Sequence, residues 1–161
     1  MLRWLWLSGV VIILDQLSKV LADRFLSMHS VQTVIPGFFD LVLAYNQGAA
    51  FSFLSNAGGW QRWFFTALAI GVSIFLLLWI KRLPPTEKLT AIALSLILGG
   101  AIGNLIDRIM YGHVIDFIHW FYKDFSWPAF NLADSAITLG AALLIIHAIF
   151  FDQKQPVSDN E

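Results

Sequence analysis

The chain contains no cysteine. That excludes disulfides, thiol nucleophiles and thiolate metal sites, and also any lipid carried on a cysteine of its own. Charge is scarce as well: charged residues make up 13% of the 161 positions, against about 25% in soluble domains. The formal net charge is −1 and no basic patch with interleaved aromatics stands out, so nucleic acid finds no footprint. Neither GxSxG nor HExxH occurs, which removes the nucleophile elbow and the zincin helix.

Apolar sequence is what the chain has in abundance. Hydrophobic residues are 58% of the total and mean hydropathy is +0.70. They are bunched: Trp63 to Ile80, Leu89 to Ile106 and Ser135 to Phe151 carry no Asp, Glu, Lys or Arg, and Trp4 to Ala22 carries only Asp15 and Lys19. A charge-poor run of about 18 or more residues can cross a bilayer core as a helix. The expected fold class is therefore an all-α polytopic membrane protein with four transmembrane helices, at about 4–22, 63–80, 89–106 and 132–151. They form a single domain over 1–151, with a small β-rich extramembrane segment on the outer face at about 30–53. Residues 152–161 read as a disordered cytoplasmic tail. The opening MLRWLWLSGVVIIL has a basic start but no small-x-small cleavage site, and it runs on through Asp15, so it is read as a retained span.

Between the first two spans, SVQTVIPGFFDLVLAYN is rich in β-branched and aromatic residues and broken at Pro36-Gly37, which predicts a short hairpin. The following NQGAAFSF, Asn46 to Phe53, has small residues that let backbone approach a ligand, though an ordinary interfacial loop would look the same. Lys81, Arg82 and Lys88 crowd a short proline-broken loop and mark it as cytoplasmic, which puts both termini on that side. Asp116 and Asp134 then lie near the outer surface.

Those two acids carry the chemistry. Two carboxylates in contact at a dry site do not both ionise readily, so the pair shares a proton and offers a base and an acid together. Such a pair needs no metal or other cofactor. Each acid also has a structural explanation: Asn131 suits a helix N-cap with Asp134 at N3, and Asp116 could be a solvated interfacial acid. Asp15 and Lys19 share a helix face and can pair, in a structural or a functional role. With Asn104, Asp107 and Arg108, they bring much ionisable material to one level of a small bundle. His113, Asp116 and His119 would converge only partly on a helix, which makes a weak metal site. Trp120, Tyr122 and Trp127 read as interfacial anchors. The competing functional class is a small transporter or proton-relay subunit built on Asp15, Lys19, Asp107 and Arg108, although the two halves show no inverted repeat.

Five blocks occur in one order: Asp15-Gln-Leu-Ser-Lys19, Asn46-Gln-Gly-Ala-Ala-Phe51, Gly103-Asn-Leu-Ile-Asp-Arg108, Val114-Ile-Asp-Phe117 and Phe130-Asn-Leu-Ala-Asp-Ser135. Together they resemble the motif series of the lipoprotein signal peptidases, or signal peptidase II, over roughly residues 4 to 150. The resemblance implies a bacterial inner-membrane aspartic endopeptidase. Its substrate would be a prolipoprotein, cut just before a diacylglyceryl-modified cysteine, within membrane lipid. By position it implies Asp116 and Asp134 as the catalytic dyad and Asn46, Gly48, Ala49, Arg108 and Asn131 as residues lining or supporting the site. Asp15, Lys19, Asn104 and Asp107 would give structural support behind them. It also implies inhibition by globomycin-type cyclic peptides.

Overall fold

The computed structural model describes residues 1–28, 30–48 and 58–150. After a short turn at Leu2–Trp4, the chain forms α1 (Leu5–Phe25), β1 (Gln32–Ile35), β2 (Phe39–Asn46), α2 (Trp60–Arg82), α3 (Lys88–Met110), β3 (Val114–Tyr122), β4 (Phe125–Ser126) and α4 (Leu132–Phe150). All four long helices are long and apolar enough to cross a membrane. They begin or end a few residues beyond the charge-free runs because interfacial residues such as Trp60 and Arg82 join the helix ends. Ala49 and the tail 152–161 lie outside the described residues.

The bundle is built around α3. In its most apolar window 61% of residues are buried, against 17% for α2 and α4. Small residues explain this, since they let helix backbones meet without a hydrophobic driving force between them. At Gly100 a side chain would run into the Ala133 carbonyl of α4, and at Gly103 a Cβ would stand 2.5 Å from Asp15 Oδ2 of α1. Outward-facing side chains such as Ile13, Leu17, Phe75 and Ile145 are exposed and apolar, as a lipid-facing surface requires.

At one end of the bundle sits a four-stranded antiparallel sheet in the order β1-β2-β3-β4. Pro36 and Gly37 make the β1–β2 turn: Phe38 N–H donates to Ile35 O at 3.1 Å, and Gly37 takes φ +77°, which a Cβ would disfavour. Ala22, Leu26, Leu43, Ile115 and Phe117 cluster where the sheet meets the end of α1.

The sheet is larger than the sequence suggests. The hairpin expected in SVQTVIPGFFDLVLAYN is present as β1 and β2, but it forms only half of the sheet. The stretch after Gly112, whose Trp120, Tyr122 and Trp127 read from the sequence as interfacial anchors, supplies β3 and β4. This also removes the helical spacing of His113, Asp116 and His119. On a strand alternate residues share a face, so Asp116 points away from the side taken by His119. Among the described residues no group of three His, Cys, Asp or Glu side chains could hold a metal ion.

Candidate active site

Asp134 owes its position to a helix start. Asp134 N–H donates to Asn131 Oδ1 at 3.0 Å, and Asn131 N–H donates back to Asp134 Oδ2 at 3.3 Å. This reciprocal cap is the N-cap and N3 arrangement that the sequence allows, and it satisfies donors that a helix start leaves open. It fixes the carboxylate at the head of α4. Asp116 comes from β3 and is 3% exposed.

The two acids meet through amides. Asn131 Nδ2 donates to Asp116 Oδ1 at 2.7 Å, with Ile115 O at 3.2 Å and Asn104 Oδ1 at 3.3 Å also in reach. Asn46 Nδ2 donates to Asp116 Oδ2 at 3.2 Å, and Asn104 Nδ2 donates to Asp134 Oδ1 at 2.8 Å. Neither acid forms a salt bridge among the described residues. Burial pushes Asp116 up to about 7 from an ordinary 3.8, and the nearby Asp134 charge adds to the rise.

A different cluster lies directly behind. The Lys19 ammonium, 1% exposed, contacts Asp15 Oδ2 at 2.8 Å and Asp107 Oδ2 at 2.9 Å and donates to Asn104 Oδ1 at 2.8 Å. An ammonium has three donors and no acceptor, so these contacts use all of them. Asp15 Oδ1 accepts from Ala133 N–H at 2.9 Å, and Asp107 Oδ2 accepts from Ile115 N–H at 3.2 Å, which ties α1, α3, β3 and α4 to one point. Gln16 completes the knot, donating to Asp107 Oδ1 at 2.9 Å and Gly103 O at 3.1 Å. Gln16 was not among the expected site residues. Its place beside Asp15 in the first motif block was the available signal.

Arg108 closes the near side of the site. Its Nη2 donates to Gly48 O at 3.0 Å and its Nη1 to Asn104 O at 3.3 Å, while the guanidinium lies 5.5 Å from the Phe65 ring centre. Arg62 from α2 donates to Arg108 O and Ile109 O at 2.9 and 2.8 Å, satisfying the last carbonyls of α3.

Asp116, Asp134, Asn46, Asn104 and Arg108 all line one cleft of about 600 Å³. From the acids it runs along α4 past Ser135, Thr138, Leu139 and Ala142, whose spacing puts them on one helix face. Trp120, Trp127, Pro128 and Phe130 wall its other side. Trp120 and Trp127, expected as membrane anchors, thus also line the cleft, because the strand pairing of β3 and β4 brings them over it. Tyr122 remains 63% exposed.

Residues 7–150 match the protein family described as Signal peptidase (SPase) II. Lipoprotein signal peptidases from Pseudomonas fluorescens and Alteromonas mediterranea are 56% and 52% identical over 147 and 145 residues. Both alignments span 90% of this chain, and they cover 86% and 79% of those proteins. A bacterial membrane enzyme solved in meso at 2.3 Å superposes with a TM-score of 0.87 at 29% identity, over 99% of this chain and 94% of that one. A second, at 1.9 Å, gives 0.79 at 34% identity over 93% and 94%. Fold, cleft and relatives define the class: a small multi-pass membrane peptidase. The chain belongs to the signal peptidase II family, and its work is lipoprotein processing, with a prolipoprotein as substrate.

Proposed function

We propose that Asp116 and Asp134 form the catalytic dyad of an aspartic endopeptidase that removes the signal peptide by cutting before a diacylglyceryl-modified cysteine. The observation that carries this reading is the contrast in their partners: both carboxylates line the cleft and are held by amides and a backbone N–H. A pair in that state keeps one proton between two acids at neutral pH. The anionic member takes a proton from a water while the protonated member donates to the scissile carbonyl oxygen. Water oxygen bonds to the carbonyl carbon, and a proton passed to the amide nitrogen releases the new amine as the C–N bond breaks. Products are the free signal peptide carboxylate and the N-terminus of the lipid-bearing cysteine.

The substrate is itself an apolar helix followed by an anchored residue. The α4 side of the cleft, apolar and open towards lipid, suits the helix end, while Asn46, Gly48 and Arg108 stand where the peptide leaves the membrane. Asn131 and Asn104 hold the acids; Ala49 is assigned to the lining by motif position. Asp15, Lys19 and Asp107 hold the framework. On this reading both termini face the cytoplasm, the site faces outward from a bacterial inner membrane, and globomycin-type cyclic peptides compete for the cleft.

The test is cleavage of a lipid-modified prolipoprotein by purified protein in detergent, with and without EDTA. Asp116→Asn and Asp134→Asn should each lower kcat by about 10³-fold or more while remaining folded, and EDTA should change nothing. Near-normal activity in either variant would overturn the dyad, and loss of wild-type activity in EDTA would point to a metal.

A further inference from the structure

Several buried polar atoms have no hydrogen-bond partner among the described residues, and two of them belong to neighbouring side chains of the sheet: Asp40 Oδ1 on β2 and His119 Nδ1 on β3. Asp40 and His119 are paired residues across the two strands, so their side chains share the sheet face opposite Asp116. Nδ1 lies 4.0 Å from Asp40 Oδ2. The other ring nitrogen, Nε2, is 2.8 Å from Ser126 Oγ on β4, and the ring stacks on Phe121 at 5.5 Å and 20°.

The neutral imidazole has two arrangements here. With the proton on Nε2, the ring donates to Ser126 and turns the Nδ1 lone pair towards a carboxylate, which is repulsive. With the proton on Nδ1, the N–H dipole points at Asp40 and Nε2 accepts a hydrogen bond from the Ser126 hydroxyl. Only the second matches every partner in the row.

This orientation matters because of what Ser126 holds. β4 is just Phe125–Ser126, paired with Tyr122 and Phe121, and so short a strand has little stability of its own. The next residue, Trp127, donates its backbone N–H to Trp120 O at 2.8 Å, and both residues line the cleft. We propose that Asp40 sets the Nδ1–H tautomer of His119, that His119 thereby tethers Ser126, and that this row across the back of the sheet positions Trp127 on the cleft wall for substrate binding. His119 and Ser126 are positioning residues: neither touches the acids, and their effect reaches substrate through Trp127. The substrate part of the claim rests on the cleft being the substrate site.

The test has two spectroscopic arms and one kinetic arm. In protein labelled with ¹⁵N-histidine, at a pH where the same spectrum shows the ring neutral, His119 should carry its proton on Nδ1. Asp40→Leu should shift it towards Nε2. In protein labelled with 5-fluorotryptophan, the ¹⁹F signal assigned by Trp127→Phe should move or broaden in Ser126→Ala and His119→Phe but stay in place in Ser126→Thr. In cleavage, Ser126→Ala and His119→Phe should raise KM about three- to tenfold with kcat within about twofold, with Ser126→Thr near normal. An Nε2–H tautomer in the unmodified protein would overturn the proposal, as would an unmoved Trp127 signal or an unchanged KM in Ser126→Ala. If the purified protein does not cleave at all, the peptidase reading of the cleft fails, while the tautomer and ¹⁹F results still decide the row.

Discussion

Two pairs of aspartates stand side by side at one end of the bundle and are treated in opposite ways. Asp15 and Asp107 share the Lys19 ammonium at 2.8 and 2.9 Å. Among the described residues, Asp116 and Asp134 receive hydrogen bonds from Asn46, Asn104 and Asn131. The first pair spends its charge on joining helices, because a buried ion pair that loses one member leaves an expensive uncompensated charge. In the proposed dyad, the second pair shares a proton and is the reactive one. Asn104 connects them. Its oxygen must face Lys19, which can only donate, so its amide nitrogen is left to donate to Asp134. The structural pair thus orients the support of the proposed dyad.

The sharpest way to break this contrast is Lys19→Met, which strands Asp15 and Asp107 together. It should destabilise the protein by about 3–5 kcal/mol in thermal or denaturant melts in detergent. Adding Asp15→Asn and Asp107→Asn should recover part of that loss. Gly103→Ala acts on the same knot by steric force, since its Cβ would stand 2.5 Å from Asp15 Oδ2. A loss of about 1–3 kcal/mol is expected in the same melts.

The proposed dyad should answer to pH instead. Asp116 is raised to about 7, so it is protonated below that value and anionic beside Asp134 above it. Cleavage should hold just below pH 7 and fall about tenfold per unit above it, as the shared proton is lost. A rate that rises through pH 8 would contradict that assignment. Gly48→Leu should have a smaller effect: the Gly48 carbonyl anchors Arg108 at 3.0 Å in a buried position, so a bulky side chain should slow cleavage about tenfold with little change in melting. Full activity in that variant would remove Gly48 from the substrate path.

Much of this was legible in the residues. The four helices follow from runs with almost no charge, and the Asn131–Asp134 cap follows from residue type and spacing at the head of a run. The Asp15–Lys19 contact follows from i,i+4 on one helix. What stayed hidden was β3. Val114, Ile115, Asp116 and Phe117 are all buried, so the strand has no alternation of polar and apolar residues to betray it. With β3 unread, the sheet lost half its strands, and Trp120 and Trp127 looked like anchors rather than cleft walls. Gln16 had only its place beside Asp15 in the first motif block to mark it, because its contacts to Gly103 and Asp107 cross to α3.

The most direct test sets the four aspartates in one experiment: Asp15→Asn, Asp107→Asn, Asp116→Asn and Asp134→Asn, each purified, melted and assayed for prolipoprotein cleavage per folded molecule. The account predicts a clean separation. Asp116→Asn and Asp134→Asn should be inactive with melting close to the unmodified protein, while Asp15→Asn and Asp107→Asn should melt earlier yet keep measurable cleavage in whatever fraction remains folded. If all four lose stability and activity together, or if either of the first two still cleaves, the division between a structural and a reactive pair is wrong.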